Sequence, residues 1–255
     1  MFTDEQVVEM YEKKATAERE LAAVFGRCLE RPYKTVRGKE FAHEGLGRRL
    51  RTCERAIYQV FEFIPPKPRR LPSKEKMTDT EGCLHAFLMA TYGAIDNLAW
   101  IWVSETGLKN PNGKPLHRGH VGLRPENTLV VASLPLNLRM KLATFGGWFN
   151  QNDDYRHALA HRIPPYIPPF AIKTADFEKY QKLNAGIWPA ILEGDFAKKT
   201  RLERRLRKLK RFEPVIQHSW GENAVPVIFH AMLIADALTI ASLTGDIFDA
   251  LDALP

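Results

Sequence analysis

Apolar residues recur along most of this chain at steps of three and four, the spacing that gathers them on one face of an α-helix. Thr3 followed by Asp4, Glu5 and Gln6 has the pattern of a capping box, so a first helix is expected from there to about Leu29, where Arg31-Pro32 ends it. A second is expected from about Lys39, carrying Leu46, Leu50, Cys53, Ile57, Val60 and Phe61 at helical spacing and stopping at Pro65-Pro66. Residues 65–72 read as a stiff, basic linker, with prolines alternating with Lys67, Arg69 and Arg70. A third helix is expected from Ser73 or Lys76 to about Glu105, with Leu84, Phe87, Leu88, Thr91, Ile95, Leu98 and Trp102 as its apolar seam. Asp96 and Asn97 interrupt that seam.

The helical signal fades between Gly107 and about Leu134, where glycine and proline recur. Thr128-Leu129-Val130-Val131 has strand character without an obvious partner. This long loop carries Lys109, Lys114, His117, Arg118, His120 and Arg124, cations suited to closing over an anion. A fourth helix is expected from Pro135, a break near Asn150 to Asp153, and then a new helix stopped by Pro164-Pro165. One long helix should follow from Asp176, kinked at Trp188-Pro189, and a strongly apolar one from about Pro226 to Leu254. The length of the last helix would suit a membrane span, but His230, Asp236, Asp246 and Asp249 favour a buried core or dimer helix. The pattern as a whole predicts an all-α protein. A helical pair over residues 1–64 packs on the core, a Pro-rich linker covers 65–75, and a helical bundle covers 76–255.

Charge changes the picture in one place. The chain carries +7 overall, yet residues 198–211 hold nine cations, Lys198, Lys199, Arg201, Arg204, Arg205, Arg207, Lys208, Lys210 and Arg211, against one acid, Glu203. That local +8 exceeds the total, so the rest of the chain is slightly acidic. A cationic stripe of this density suits phosphate binding, because each neutralised phosphate releases counterions; the alternative is a solvated charged helix. Three scattered cysteines, Cys28, Cys53 and Cys83, form no ligand pair and read as reduced thiols, and the acidic start Met1 to Glu5 lacks a signal-peptide run. A cytoplasmic protein, not a membrane protein, is expected.

Candidate chemistry concentrates in Asp153 to Pro165. On a wheel of about 100° per residue, Tyr155, Leu159 and Ile163 form the expected buried stripe, Arg156 flanks it, and His157 and His161 point away. Arg156 and His161 lie about 140° and about 7.5 Å of rise apart, so within one straight helix they do not act as a pair. They would meet at a frayed end or across an interface with a second copy. Asp96, in an otherwise apolar helix, needs a partner; Arg156 is one candidate, another cation or solvent the alternatives. Asp153, His157 and His161, one turn apart from each other, also have the spacing of metal ligands, although no Glu follows His157 as in a zinc-protease helix.

The run Arg156, His157, Ala158-Leu159-Ala160, His161 resembles the signature of the HEPN superfamily: Arg, a polar residue, three more residues, then His. The Pro-rich continuation through Pro169 is similar to a form found in bacterial members. The resemblance covers roughly residues 77 to 250. It implies an all-α bundle, a homodimer with the active cleft between two motif helices, and metal-independent cleavage of RNA, with no cofactor. His161 would be the general base, Arg156 the phosphate clamp, and His157 a tuning or second proton-transfer group, with Asp96 and Tyr155 in support. It further implies a role in phage defence or as a toxin held by an antitoxin or regulatory partner. Two alternatives remain: a helical module that binds RNA or protein without cutting, and a metal-binding protein using Asp153, His157 and His161. Tyr166 and Phe170, just beyond the motif, either stack bases or pack back on the bundle.

Overall fold

The computed structural model describes residues 2–219 and 224–254, and the protein is all-α. Helix α1 (Asp4–Glu30) starts at the expected capping box: Thr3 Oγ1 accepts from Gln6 N at 3.2 Å, and Gln6 Oε1 accepts from Thr3 N at 2.9 Å. A short helix α2 (Val36–Glu40) runs through a π-helical segment (Phe41–Gly47) into α3 (Arg48–Phe63), so the second helical stretch begins slightly earlier than expected. The turn before α2 is fixed by Glu105, a nearly buried carboxylate that accepts from Lys34 N, Thr35 N and Thr35 Oγ1 at 2.8, 3.1 and 2.8 Å.

Helix α4 (Lys74–Thr106) is the axis of the molecule. Ser73 caps its start, and Gly107, at φ +63°, ends it in the left-handed conformation that glycine adopts at least cost. All seven expected seam residues are buried, and Ala90, Ala94, Ala99 and Ile101 are buried as well, because other helices pack on more than one side. The region expected to be irregular contains a 3₁₀ turn (Arg118–His120) and then α5 (Thr128–Ser133). The stretch read as strand-like is therefore helical. With no strand beside it among the described residues, its backbone closes on itself, and Ser133 Oγ takes the Trp102 indole N–H at 2.8 Å.

Helices α6 (Leu136–Ala143) and α7 (Gly146–His161) follow. The expected break at Asn150–Asp153 is absent; the chain turns earlier, at Thr144–Phe145, and α7 is continuous through the motif. The long helix expected from Asp176 is three short ones: α8 (Phe177–Ala185), α9 (Ile187–Leu192) and α10 (Phe196–Leu209). Gly186 divides the first two, and Gly194, at φ +71°, divides the last two. Pro189 sits in the first turn of α9, where its missing N–H is harmless, rather than in a kink. These helices pack on one another around Leu183, Ala190 and Leu206, a small cluster separate from the main core. Two short antiparallel strands, β1 (Val215–Ile216) and β2 (Val227–Ile228), lead into α11 (Phe229–Asp252).

Helix α11 is long and apolar enough to cross a membrane by length and composition; here its buried side chains face α1, α3 and α4. The N-terminal helices and the later ones share one hydrophobic core. Two titratable groups on α11 lie deep within it. Asp236 accepts from Trp148 Nε1 at 2.7 Å, and burial pushes its pKa up to about 7. His230 Nε2 donates to the Ile64 carbonyl at 2.7 Å, and burial pushes its pKa down to about 4.

These opposite shifts cancel in the pH dependence of stability. Between about pH 4 and 6.5 the folded chain keeps a proton on Asp236 and none on His230, whereas the unfolded chain does the reverse. Asp236→Asn leaves His230 alone, so its stability relative to wild type should rise with pH across this window, by about 1.4 kcal/mol per unit. His230→Gln leaves Asp236 alone, and its relative stability should fall at a similar rate. Urea unfolding at pH 4.5 and 6.5 checks both slopes; profiles parallel to wild type would contradict the assignment.

Candidate functional site

The motif lies in the last two turns of α7. The buried stripe of this helix is Phe149, Asn152, Tyr155 and Ala158, spaced by threes, so it drifts around the helix as one ridge crosses α4. The expected stripe of Tyr155, Leu159 and Ile163 is corrected accordingly. Leu159 is half-buried, and Ile163, beyond the end of α7, is 51% exposed. Tyr155 is a core residue rather than a site residue: its hydroxyl lies 3.5 Å from the Ile216 carbonyl, and burial pushes its pKa well above the usual range.

His157 and His161 are both exposed, with ring centroids 6.1 Å apart and planes inclined at 45°. One turn of helix brings them together, as the spacing required. Arg156 points elsewhere, with its guanidinium 5.5 Å from the Tyr92 ring on α4. It makes no hydrogen bond or ion pair among the described residues, and it does not meet His161.

Asp96 does not pair with Arg156, a correction to the first of the sequence alternatives. Its carboxyl makes no hydrogen bond or ion pair among the described residues. Burial raises its pKa, and the nearby Arg124 and Arg49 oppose this more than Arg156 does. Arg49 reaches this region because Gly93 has no side chain: a Cβ there would lie 2.3 Å from the guanidinium carbon. Arg49 Nε donates to Asn97 Oδ1 at 2.8 Å.

The cation that organises this side of the molecule is Arg124, from the irregular loop. It is nearly buried and grips Asp153 with a fork, Nε to Oδ2 at 3.0 Å and Nη2 to Oδ1 at 2.6 Å. Its guanidinium also lies 4.8 Å from the Tyr92 ring and 5.4 Å from the Phe149 ring. Asp153 is thus occupied by Arg124 rather than turned toward the histidines. Among the described residues, no group of three His, Cys, Asp or Glu side chains is arranged to hold a metal ion.

The exit from α7 is held on both sides. Glu81 Oε1 accepts from Ile167 N at 2.7 Å, and His85 Nε2 donates to the Pro165 carbonyl at 2.6 Å, one turn further along α4. The backbones of Tyr166 and Gln217 exchange hydrogen bonds at 2.8 and 3.2 Å, and those of Ala171 and Arg211 at 2.7 and 3.0 Å. The end of the basic run is therefore stitched to the segment leaving the motif. His218, unremarked in the sequence, donates through Nε2 to Asp154 Oδ2 at 2.6 Å, while Arg162 holds Asp154 Oδ1 at 2.6 Å. Burial opposes ionisation of Asp154, but these two donors hold its pKa below the usual carboxylate range. Tyr166 accepts from Gln217 Nε2 at 2.8 Å, and Phe170 lies under Lys210 at 4.0 Å, so both pack back on the protein.

On α10, Leu202, Leu206 and Leu209 face the small cluster. Lys198 pairs with Glu193 at 3.0 Å, Lys199 with Glu203 at 3.2 Å, and Arg211 with Glu213 at 2.6 Å. Arg201, Arg204, Arg205, Arg207 and Lys208 are exposed, without an ion pair among the described residues, and spread over about 160° of the helix. Phe196, 65% exposed, borders this face, and Trp188 on α9 is 66% exposed. Their exposure was not legible in the sequence, where Trp188 read only as part of a kink.

No family model matches the chain, and neither does any curated protein or solved structure.

If the Arg124 fork anchors the loop, Arg124→Ala should cost about 2–4 kcal/mol, the lower end reflecting the partial exposure of Asp153. Arg124→Lys should rescue little, because an ammonium cannot make the fork. Thermal melting together with amide exchange over residues 117–127 checks this; unchanged exchange in Arg124→Ala would contradict it.

Proposed function

We propose that the protein is a metal-independent endoribonuclease of HEPN type. The observation that carries this reading is the pair of exposed imidazoles at the end of α7, close enough to bracket one phosphodiester. His161 takes the proton from the ribose 2′-hydroxyl, and the 2′-oxygen attacks the adjacent phosphorus. His157, in its protonated form, gives a proton to the departing 5′-oxygen. The products are a 2′,3′-cyclic phosphate and a 5′-hydroxyl. Imidazole suits both roles because it titrates near neutral pH.

Arg156 completes the site from a second copy of the chain, where its fork would hold the phosphate as charge builds up on the pentacoordinate centre. Two exposed apolar residues flank the motif exit: Ile163, and Met89, one turn beyond His85 on α4. A homodimer would cover them. The cationic face of α10, tied by Arg211 to the segment leaving α7, supplies the sequence-independent grip on RNA. A cytoplasmic setting and a restraining protein partner fit an enzyme of this kind.

In EDTA, wild type should cleave a mixed-sequence labelled RNA, while His161→Ala and Arg156→Ala lose about a hundredfold or more and His157→Ala loses a comparable amount. Arg204→Ala/Arg205→Ala should weaken RNA binding without changing the maximal rate. Equal cleavage by wild type and the α7 variants, with unchanged melting and dimerisation, would overturn the site. RNA binding that depends on α10 alone, with no cleavage, would favour the non-catalytic module.

A further inference from the structure

Beside His157 the irregular loop, α4 and α7 line an open cavity of about 540 Å³. Its walls combine three kinds of group. Tyr92 and Trp100 are aromatic, and Trp100 is fixed by parallel stacking on Phe41, with centroids 5.2 Å apart. Asp96 and Glu126 are carboxyl groups with no hydrogen bond or ion pair among the described residues. Arg118 is an exposed guanidinium, likewise without an ion pair among the described residues. Arg124 and Asp153 also line the cavity but neutralise each other.

This mixture narrows the occupant. A simple anion would meet Asp96 and Glu126, and a simple cation would meet Arg118. A flat neutral ring bearing N–H donors, with a phosphate attached, meets both. Asp96 is the telling residue: a half-buried carboxyl without a donor is costly, and a ligand supplying donors removes that cost. An ionised carboxylate only accepts hydrogen bonds, through two adjacent oxygens. Among the RNA bases, guanine alone offers two adjacent donors on its Watson–Crick edge, N1–H and the N2 amino group. Adenine and cytosine each place an acceptor beside their donor, and uracil flanks its single donor with two carbonyls.

We propose that this cavity is a guanine pocket, in which Asp96 accepts from N1–H and N2–H, Trp100 and Tyr92 form the apolar walls, and Arg118 meets the phosphate. His157 lines the same cavity, so a guanine held there places its neighbouring phosphodiester at the histidine pair. Only this last step rests on the ribonuclease reading; capture of the base does not. The pocket would give the enzyme a preference for cutting beside guanosine.

The test is calorimetric titration of the wild-type protein, in EDTA, with GMP, IMP, AMP, CMP and UMP. GMP should bind at least about tenfold more tightly than the rest, including IMP, which keeps N1–H but lacks the N2 amino group. Asp96→Asn, checked for folding by thermal melting, should lose about tenfold or more for GMP and little for AMP. Arg118→Gln, which removes the phosphate partner at an exposed position, provides a second variant with little risk to folding and should weaken all five nucleotides alike. Equal binding of all five nucleotides, no saturable binding of GMP, or unchanged GMP affinity in both variants would overturn the proposal. GMP-selective binding without RNA cleavage would leave the pocket standing and remove the nuclease reading. Cleavage without guanosine preference would overturn the placing of the neighbouring phosphodiester at the histidine pair.

Discussion

The candidate site is organised by the partly buried fork between Arg124 and Asp153. Arg124 comes from a segment rich in glycine and proline, with little regular structure of its own to hold it in place. By donating twice to a carboxylate on α7 and lying against Tyr92 and Phe149, it fastens that segment to two helices at once. The fork also takes Asp153 away from the histidines and leaves Asp96 open to the cavity. A guanidinium is suited to this task because its donors are planar and remain charged. Leu116, Val121 and Leu123 bury the loop's apolar side chains in the core, and the fork adds the polar contact that fixes it against α7 beside His157.

On the proposed reading, the geometry of α7 divides the chemistry between one chain and two. Residues four apart share a face, so His157 and His161 come together as a direct consequence of the helix. Residues five apart do not, and Arg156 lies against Tyr92. On our reading this is the reason for a second copy: the clamp and the base belong to different faces, and only a neighbour brings them to one phosphate. On the same reading, the α10 face would add charge at the other end of the stitched segment, where geometry demands less because a polyanion need only be held nearby.

Much of the architecture was legible in the sequence because it follows local rules. The Thr3 capping box, the seam from Leu84 to Trp102 and the proline stops at Pro65 and Pro164 each act through their own neighbours along the chain. The errors occurred where glycine or a distant contact decided. Gly186 and Gly194 cut one expected helix into three. The α7 stripe followed steps of three because of the way it crosses α4, which no reading of α7 alone reveals. At the site, the histidine pair was visible from spacing. The Arg124–Asp153 fork, the His218–Asp154 bond and the open carboxyl of Asp96 were not, since each joins residues at least 29 positions apart or depends on what failed to pair.

The most direct measurement of the central claim uses the substrate's own nucleophile. A short RNA containing one cleaved linkage is compared, in EDTA, with the same strand carrying a single 2′-deoxy sugar on the 5′ side of that linkage. The account predicts that the all-ribose strand gives a 2′,3′-cyclic phosphate and a 5′-hydroxyl, and that the deoxy strand is not cut at that linkage. Cleavage of the deoxy linkage would contradict it, because the histidine pair would then be activating water or some other nucleophile.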